Sequence, residues 1–373
     1  MGRAGALPSR YRRTAGPEFD KPSKKSFCFR ALDDPGDRLW IGSPVDIRFT
    51  FALISWYSFE LGVVGPSVVF HRYLRVDLQS LLEVKRKDYS DLFSTVEHEI
   101  GCGCGQVPPA SVRLHFIRHD AGGLVPMGKL VDTLISYITH FCFTSERRAD
   151  LSEQARNRAY LQAKRLFRDN PNTGQPGELL VYFLIEAVLQ APQVLKKMPI
   201  TTNPNDERKG SDGVHVRWTA NGELLEVIFA EAKLHKDFAA ALTSAFKSMT
   251  DFHNSATKSL EINYFLNAFS FLNQEQRDVI ASYVEGENKG KCQEVHVCLI
   301  GYTWEEYGHL KTAEKEKFLA EFEKRYLAWA SAEMKPKLDA ELAAFTHSHL
   351  KFEFFFLPFV SVENFRTLFL DTL

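Results

Sequence analysis

Three ionisable residues lie on a stretch whose other residues are typical of two β-strands. Asp212 opens "SDGVHVRWTANGELLEVIFAEAKLH" (211–235), and Glu231 and Lys233 close it within "FAEAK". An Asn-Gly step at 221–222 separates the two apolar runs, and this dipeptide favours a two-residue type I′ hairpin turn. Two carboxylates beside an amine can bind a divalent cation and orient water, which is the chemistry of metal-assisted hydrolysis.

The register of the hairpin decides whether these residues meet. With the Asn-Gly step at the turn, Asp212 lies opposite Glu231, with the two α-carbons about 5.5 Å apart if the pair is hydrogen-bonded. Side chains alternate along a strand, so Glu231 and Lys233 share one face and the residue between them points away. The sequence therefore predicts that Asp212, Glu231 and Lys233 share one surface.

Two carboxylates placed opposite each other repel, and something must offset that repulsion. One acid could be protonated, a Lys or Arg could lie between them, or a divalent cation could bind both. Mg²⁺ suits the third solution, because it binds one or two carboxylates and keeps several waters. A purely structural interpretation stays open, in which Asp212 ends a Ser-Asp-Gly turn and Glu231 forms an ion pair with Lys233 at the rim.

Hydrophobic periodicity predicts the elements that must position this hairpin. Residues 176–190 are apolar on almost all sides and indicate a buried helix, with Glu178 in its first turn. Asp237 is a good N-cap for an amphipathic helix at 238–252. Further expected elements are strand-like segments at 45–75, a strand and turn at 111–123, strands at 293–302 and 351–359, and helices at 127–143, 152–167, 259–272, 274–286, 305–345 and the C-terminus. This order predicts an α/β fold with a mixed sheet.

Composition and charge restrict the class of protein. The 373 residues are 45% hydrophobic and 25% charged, which is typical of a globular chain, and 30 Phe favour a large core. A net charge of -1 provides no overall attraction to nucleic acid. Six cysteines without a regular spacing favour reduced thiols and a bacterial cytoplasmic location. We expect no association with a membrane, because no apolar run is long enough to span one.

The order of acid, hairpin and Glu-x-Lys resembles the core of the PD-(D/E)XK nuclease superfamily, although Ser211 stands where the motif has proline. More narrowly, "GELLVYFLIEAVLQ" (177–190), "SDGVHV" (211–216) and "FAEAKLH" (229–235) resemble the HamA C-terminal domain family. That family includes the nuclease subunit of the Hachiman anti-phage defence system. The resemblance extends from about residue 45 to the C-terminus.

The resemblance implies a restriction-endonuclease-like fold, with a mixed central sheet flanked by helices and an N-terminal α/β lead-in subdomain. We expect the subdomain at 41–170 and the nuclease-like core, with its C-terminal helices and strands, at 171–373. Residues 1–40 are rich in Lys, Arg, Pro and Gly and predict a basic, poorly ordered tail. A nucleic-acid-binding arm is the alternative for that tail.

The resemblance also implies roles for individual residues. Asp212, Glu231 and the backbone carbonyl of Ala232 would bind Mg²⁺ or Mn²⁺. Lys233 would orient or deprotonate the attacking water, and Glu178 would be an auxiliary acid. An equal alternative for Glu178 is structural, because the helix dipole favours a carboxylate in the first turn of any helix. The expected reaction is phosphodiester hydrolysis in DNA, beside a superfamily 2 helicase partner (HamB-like) that provides most of the DNA binding.

Basic residues around the hairpin could contact DNA phosphates. His215, His235 and Lys236 lie close to the acids in sequence, and Lys247 and Lys258 follow on or after the next helix. Such contacts would position DNA without reading its sequence. For the three residues nearest the hairpin, an equal alternative is that they are solvated residues at strand ends.

Other sites and functions compete with this interpretation. "EHEIGCGCG" (97–105) contains Cys102 and Cys104, but with His98 it forms an incomplete zinc set, and a Gly-rich turn is favoured. His119-Asp120 is a weak signal for a metal pair. No Walker loop is present, so we expect no ATPase activity. Two other functions stay open: a catalytically silent nuclease-like scaffold that docks a helicase or senses DNA, and a stand-alone restriction or repair nuclease.

Overall fold

A computed structural model gives the fold of the chain. It describes residues 77–97, 110–119, 125–148, 151–167, 173–196, 210–219, 222, 224–255, 258, 260, 292–310, 315–347 and 350–373. The expected basic tail at 1–40 and the strand-like segments at 45–75 lie outside the described residues. So do the helices expected at 259–272 and 274–286, apart from Leu260.

Within the described residues, seven strands form one mixed sheet. They are β1 (Phe93–Glu97), β2 (Ser111–Ile117), β3 (Gln193–Leu195), β4 (Gly213–Trp218), β5 (Leu225–His235), β6 (Cys292–Thr303) and β7 (Lys351–Phe359). Their order is β1-β2-β7-β6-β5-β4-β3. The inner pairs β2–β7, β7–β6 and β6–β5 are parallel, and the outer pairs are antiparallel. The predicted α/β class is confirmed, and the architecture is consistent with a restriction-endonuclease-like fold.

Helices flank this sheet. They are α1 (Arg86–Leu92), α2 (Met127–Ser136), α3 (Ile138–Cys142), α4 (Ser145–Arg148), α5 (Glu153–Leu166), α6 (Gln175–Leu184), α7 (Phe238–Asn254), α8 (Glu306–Leu310), α9 (Lys315–Trp329), α10 (Lys335–Ala344) and α11 (Val362–Thr372). A 3₁₀ helix covers Leu78–Leu81, and π-helical turns at Ile185–Leu189 and Ala330–Met334 extend α6 and join α9 to α10. The helix expected at 127–143 is divided at Tyr137.

The two faces of the sheet carry different cores because side chains alternate along each strand. On β7, Phe355 belongs to the core formed with α2, α6 and α11, whereas its neighbour Phe354 belongs to the core formed with α7, α9 and α10. Gly301 allows β6 to pass between two large side chains, since a Cβ there would lie 2.9 Å from Phe359 Cε2 and closer still to Leu234. Because both faces are covered, the inner strands are mostly apolar, and their few charged side chains form ion pairs such as Lys351 with Glu226.

The sheet includes residues from both sides of the boundary expected at residue 170. Strand β2 pairs in parallel with β7, from Ser111 opposite Glu353 to Leu114 opposite Phe356. Strand β1 then extends the same sheet. Residue 170 therefore does not separate two sheets. Parallel pairing between strands this distant in sequence leaves no local signal, so the amino-acid pattern could not show it.

Candidate active site

The β4–β5 hairpin has the register that the sequence predicts. Val214 pairs with Phe229, and the ladder continues without a shift between the ends of β4. Near the tip, Gly222 has a φ of 65°, a left-handed conformation that glycine adopts without strain. Asn221 lies outside the described residues, so the type I′ turn stays a prediction.

Asp212 ends the ladder and directs its carboxylate at β5. Its amide donates to the Ala230 carbonyl at 2.8 Å, and its Oδ2 accepts from the Ala232 amide at 2.7 Å. Beyond Gly213, the Asp212 carboxylate thus accepts the hydrogen bond that a backbone carbonyl of the ladder would otherwise accept. In an antiparallel pair a residue directs its N–H and its C=O at the same neighbour. We therefore expect the Ala232 carbonyl to face Asp212 as well.

Glu231 lies inside the site and is held by Lys233. Lys233 Nζ is 2.6 Å from Glu231 Oε1, and only 7% of Glu231 is exposed. Burial and the charge of Asp212 raise the pKa of Glu231 to about 8. Burial acts to lower the pKa of Lys233, but the charges of Glu231 and Asp212 outweigh it and raise that pKa. The structure therefore brings together the three residues that the sequence selected.

Two residues that the sequence analysis did not identify complete this site. The Ser248 hydroxyl on α7 donates a hydrogen bond to the Glu231 carboxylate. Cys298 pairs with Glu231 on the adjacent strand β6 and is fully buried. Burial and the charge of Glu231 raise the pKa of the Cys298 thiol well above its ordinary value, so the thiol stays neutral. Ser248, which borders the apolar face of α7, gave a weak signal, whereas Cys298 lies in an apolar run and gave none.

Glu178 lies in the first turn of α6, as predicted, and is half-buried. Helix α6 packs on one face of β5, because a Cβ at Gly177 would lie 3.3 Å from the Ala232 Cβ. Alternation along β5 directs Glu231 and Lys233 to the other face. Glu178 therefore lies on the α6 side of β5, and its role as an auxiliary acid stays a prediction.

The three residues expected to contact phosphate have different surroundings, and the buried position of His215 contradicts the role predicted for it. His215 is fully buried, and its Nδ1 donates to the Ala191 carbonyl at 2.9 Å. Burial lowers its pKa to about 3, so it is a neutral interior residue that neither solvent nor a phosphate reaches. Strand β4 is covered on both faces, which its sequence did not show. His235 is half-buried and Lys236 is exposed at the end of β5, where phosphate contact stays a prediction.

The two lysines expected to add DNA backbone contacts form ion pairs instead of projecting freely. Lys247 Nζ lies 2.6 Å from Asp251 Oδ2 on the exposed side of α7. Lys258 Nζ lies 2.6 Å from Glu294 Oε2. Each pair would have to open, or be shared, before the lysine contacted a phosphate.

The competing metal motifs find no support in the described ranges. His98, Cys102 and Cys104 lie outside them, as does Asp120. His119 packs against the Phe318 ring, with ring centroids 4.3 Å apart. Among the described residues, no group of three or more His, Cys, Asp or Glu side chains is arranged to hold a metal ion. A cation at the hairpin would therefore bind two carboxylates, backbone and water.

The charges at the hairpin fit a divalent cation. Lys233 supplies one ammonium beside the two carboxylates of Asp212 and Glu231, and burial together with the charge of Asp212 raises the pKa of Glu231. Carboxylate and carbonyl oxygens are the ligands that Mg²⁺ and Mn²⁺ prefer. The sequence offered three ways to offset the repulsion between the two carboxylates, and one of them, a lysine, is present. When both acids are ionised, the three residues together carry one negative charge.

Comparison with known proteins identifies the family. The HamA family model matches residues 90–373, which include all seven strands, the hairpin and α7. No curated protein sequence matches the chain. No helix in the described part of the chain could cross a membrane. HamA proteins are components of the Hachiman anti-phage defence system, and a match over most of the 373 residues shows that the chain belongs to the HamA family.

Proposed function

We propose that this chain is a metal-dependent deoxyribonuclease, the effector subunit of a Hachiman anti-phage defence complex. The observation that supports this function is the meeting of two carboxylates and one ammonium at the end of β5. The reaction is hydrolysis of phosphodiester bonds in DNA. Membership of the HamA family supports the setting in which the reaction takes place.

Asp212, Glu231 and the Ala232 carbonyl would hold Mg²⁺ or Mn²⁺. When bound, such an ion stabilises negative charge on a phosphate and lowers the pKa of water. Asp212 is oriented by its hydrogen bond from the Ala232 amide, and Glu231 by Lys233 and Ser248. The carboxylates are therefore held in place before any ligand arrives, which reduces the ordering that binding would otherwise require.

Lys233 has two roles open to it, and the electrostatics favour one. Its raised pKa keeps the amine protonated beside Glu231 and Asp212. A protonated amine donates hydrogen bonds and cannot accept a proton. We therefore assign Lys233 to orienting the attacking water and to offsetting the charge that develops on the phosphate, and not to deprotonating the water.

The partner is a superfamily 2 helicase that delivers DNA to the hairpin. A net charge of -1 gives the isolated chain little long-range attraction for DNA. A helicase subunit would supply that attraction. The same observation disfavours a nuclease that acts alone.

A plasmid degradation assay tests the proposal. The chain, with and without its helicase partner, should cut DNA in Mg²⁺ or Mn²⁺ and stop in EDTA. Lys233→Ala and Glu231→Ala should each reduce the rate by about a hundredfold or more, because each removes a group that acts on the transition state. Lys335→Ala, which removes an ion-paired lysine on α10, serves as the control and should cleave normally.

Three outcomes would contradict parts of the proposal. Full cleavage by a well-folded Glu231→Ala protein would remove the mechanism. Absence of cleavage under all conditions, with helicase or DNA binding retained, would identify a catalytically silent scaffold. Equal cleavage with and without the helicase would instead identify a stand-alone nuclease.

A further inference from the structure

A second pocket lies beside the short edge strand β3. Its volume is about 340 Å³, within the range of roughly 300–1,000 Å³ typical of small-molecule sites. Its polar lining comes from the segment after the 3₁₀ helix, from α3 and α4, and from β3. The lining residues that matter most are Glu83, His140, Ser145, Arg148, Gln193 and Lys196.

Two cations of this pocket share one carboxylate. Lys196 Nζ lies 2.9 Å from Glu83 Oε2, and Arg148 binds the other oxygen, Oε1. All three side chains are largely buried, with exposed fractions of 7%, 18% and 13% for Lys196, Arg148 and Glu83. Two cations therefore flank one carboxylate, and a second, buried carboxylate, Glu186, accepts hydrogen bonds from the Glu83, Val84 and Gln193 amides nearby.

His140 lies beside these cations. Burial is the main cause that lowers the pKa of His140 to about 4, and the charge of Arg148 is the next largest cause. Glu83 opposes this effect, but Lys196 and Lys85 add to it. Arg148 and Lys196 both line the pocket, so an anionic ligand would meet two cationic side chains there.

Two polar atoms at the pocket have no hydrogen-bond partner among the described residues. They are Oε1 of Gln193, a residue that is only 8% exposed, and Nδ1 of His140. Buried polar atoms are nearly always hydrogen-bonded, because leaving them without a partner costs free energy. A bound molecule that offers polar groups would satisfy both atoms.

We propose that this pocket binds a nucleoside monophosphate. The phosphate would bind Arg148, whose planar guanidinium matches two phosphate oxygens, with Ser145 contributing a hydroxyl. The nucleoside would hydrogen-bond Gln193 and His140. Glu83, which bridges the cations in this structure, would give up Arg148 to the phosphate. The phosphate monoester could belong to a free mononucleotide or to the 5′ end of a DNA strand.

The pocket also lies next to the start of β4, the strand that follows Asp212. A Cβ at Gly213 would lie 3.2 Å from Gln193 Nε2, and Gly213 directly follows Asp212. A ligand that orders Gln193 would therefore act one residue away from the proposed metal site. Binding itself does not depend on the proposed nuclease activity, and it is measured in EDTA, where no cleavage occurs.

Isothermal titration calorimetry of the full chain tests the site with four probes: a nucleoside 5′-monophosphate, inorganic phosphate, and an oligonucleotide with a 5′-phosphate or a 5′-hydroxyl. We expect saturable binding of the monophosphate. Arg148→Gln should weaken it about tenfold or more, because a charge-assisted hydrogen bond is lost. Arg147→Gln is the matched control, since the Arg147 guanidinium stacks over the Phe143 ring and does not line the pocket.

Glu83→Gln distinguishes a binding site from a structural ion pair. Removing the internal carboxylate should tighten monophosphate binding about tenfold, because the phosphate no longer competes with it for Arg148. Circular dichroism verifies that each variant is folded. Binding of the 5′-phosphorylated oligonucleotide, lost in Arg148→Gln and absent for the 5′-hydroxyl form, would assign the phosphate to a DNA end.

Three results would overturn the proposal. The first is no saturable binding of any probe by the wild type or by Glu83→Gln. The second is equal loss in the Arg147 and Arg148 variants. The third is inorganic phosphate binding as tightly as the monophosphate, since the nucleoside contacts would then contribute nothing.

Discussion

Two carboxylates in the same sheet are almost completely buried, yet their pKa values move in opposite directions. Glu353 on β7 is 1% exposed, and burial acts to raise its pKa, but Arg217, Arg113 and Lys351 outweigh burial and lower it. Glu231 on β5 is 7% exposed, and its pKa rises to about 8. The difference lies in the neighbours and not in the depth of burial.

The numbers of opposing charges explain this contrast. Glu353 belongs to a group of five residues, here called the sheet network, that has three cations and two carboxylates: Arg113, Arg217, Glu226, Lys351 and Glu353. The hairpin site instead has an excess of negative charge, with two carboxylates and one ammonium. A network in which every carboxylate is paired with a cation can hold strands together without a metal ion. A site short of positive charge can recruit a cation.

The largest expected effect is on the free energy of unfolding, and it distinguishes the sheet network from the hairpin site. Glu353→Gln leaves Arg113 and Arg217 without their shared carboxylate, and removing one partner of a buried ion pair costs about 3–5 kcal/mol. Urea denaturation would measure this loss. Glu363→Gln, at an exposed position on α11, is the control and should change the free energy of unfolding little. A Glu353→Gln protein as stable as the wild type would show that the sheet network is not structural.

A smaller effect is expected from metal binding at the hairpin. At a concentration one hundred times its dissociation constant, Mg²⁺ should raise the free energy of unfolding by about 2.7 kcal/mol. Asp212→Asn should remove most of this gain, whereas Glu353→Gln should retain it. Calorimetry in buffers of different ionisation enthalpy should detect proton release, because Glu231 must ionise to bind the cation. Equal stabilisation of the wild type and Asp212→Asn would place the cation elsewhere.

The pH dependence of stability sharpens the contrast further. In EDTA, Glu231 has a folded-state pKa of about 8 against an ordinary value of 4.5, so the folded chain keeps a proton that the unfolded chain loses. Stability from this group is complete below pH 4.5 and is lost as the pH rises through 8. Glu231→Gln should gain stability relative to the wild type across that window, at a rate of up to about 1.4 kcal/mol per pH unit. A constant difference between the two proteins would contradict the assigned direction.

The smallest expected effect concerns Ser248. Ser248→Ala removes one hydrogen bond to Glu231 and should lower the free energy of unfolding by about 1 kcal/mol. Cleavage should fall severalfold, since Glu231 is less well oriented. Ser248→Thr keeps the hydroxyl and should restore both values. Unchanged cleavage by Ser248→Ala would show that Lys233 alone positions the carboxylate.

How far the sequence could predict the site depends on how local each interaction is. The meeting of Asp212 with Glu231 follows from one turn and the alternation of a hairpin, so the register was predictable. The sheet network was not, because its members come from β2, β4, β5 and β7, which meet only in the folded sheet. His215 was expected to contact phosphate, but it is buried because β4 is covered on both faces. The residues that cover β4 come from distant parts of the chain, so the local sequence could not show this. The pocket beside β3 combines four separate segments and left no motif.

The pairing of β2 with β7 has a consequence for attempts to produce residues 171–373 alone. Strand β7 carries five phenylalanines, and β2 occupies its outer edge through residues 353–356. A chain shortened to begin at residue 171 would expose the unpaired backbone of this apolar strand, which is a template for intermolecular aggregation. Retaining the segment that contains β1 and β2 would keep that edge of β7 paired.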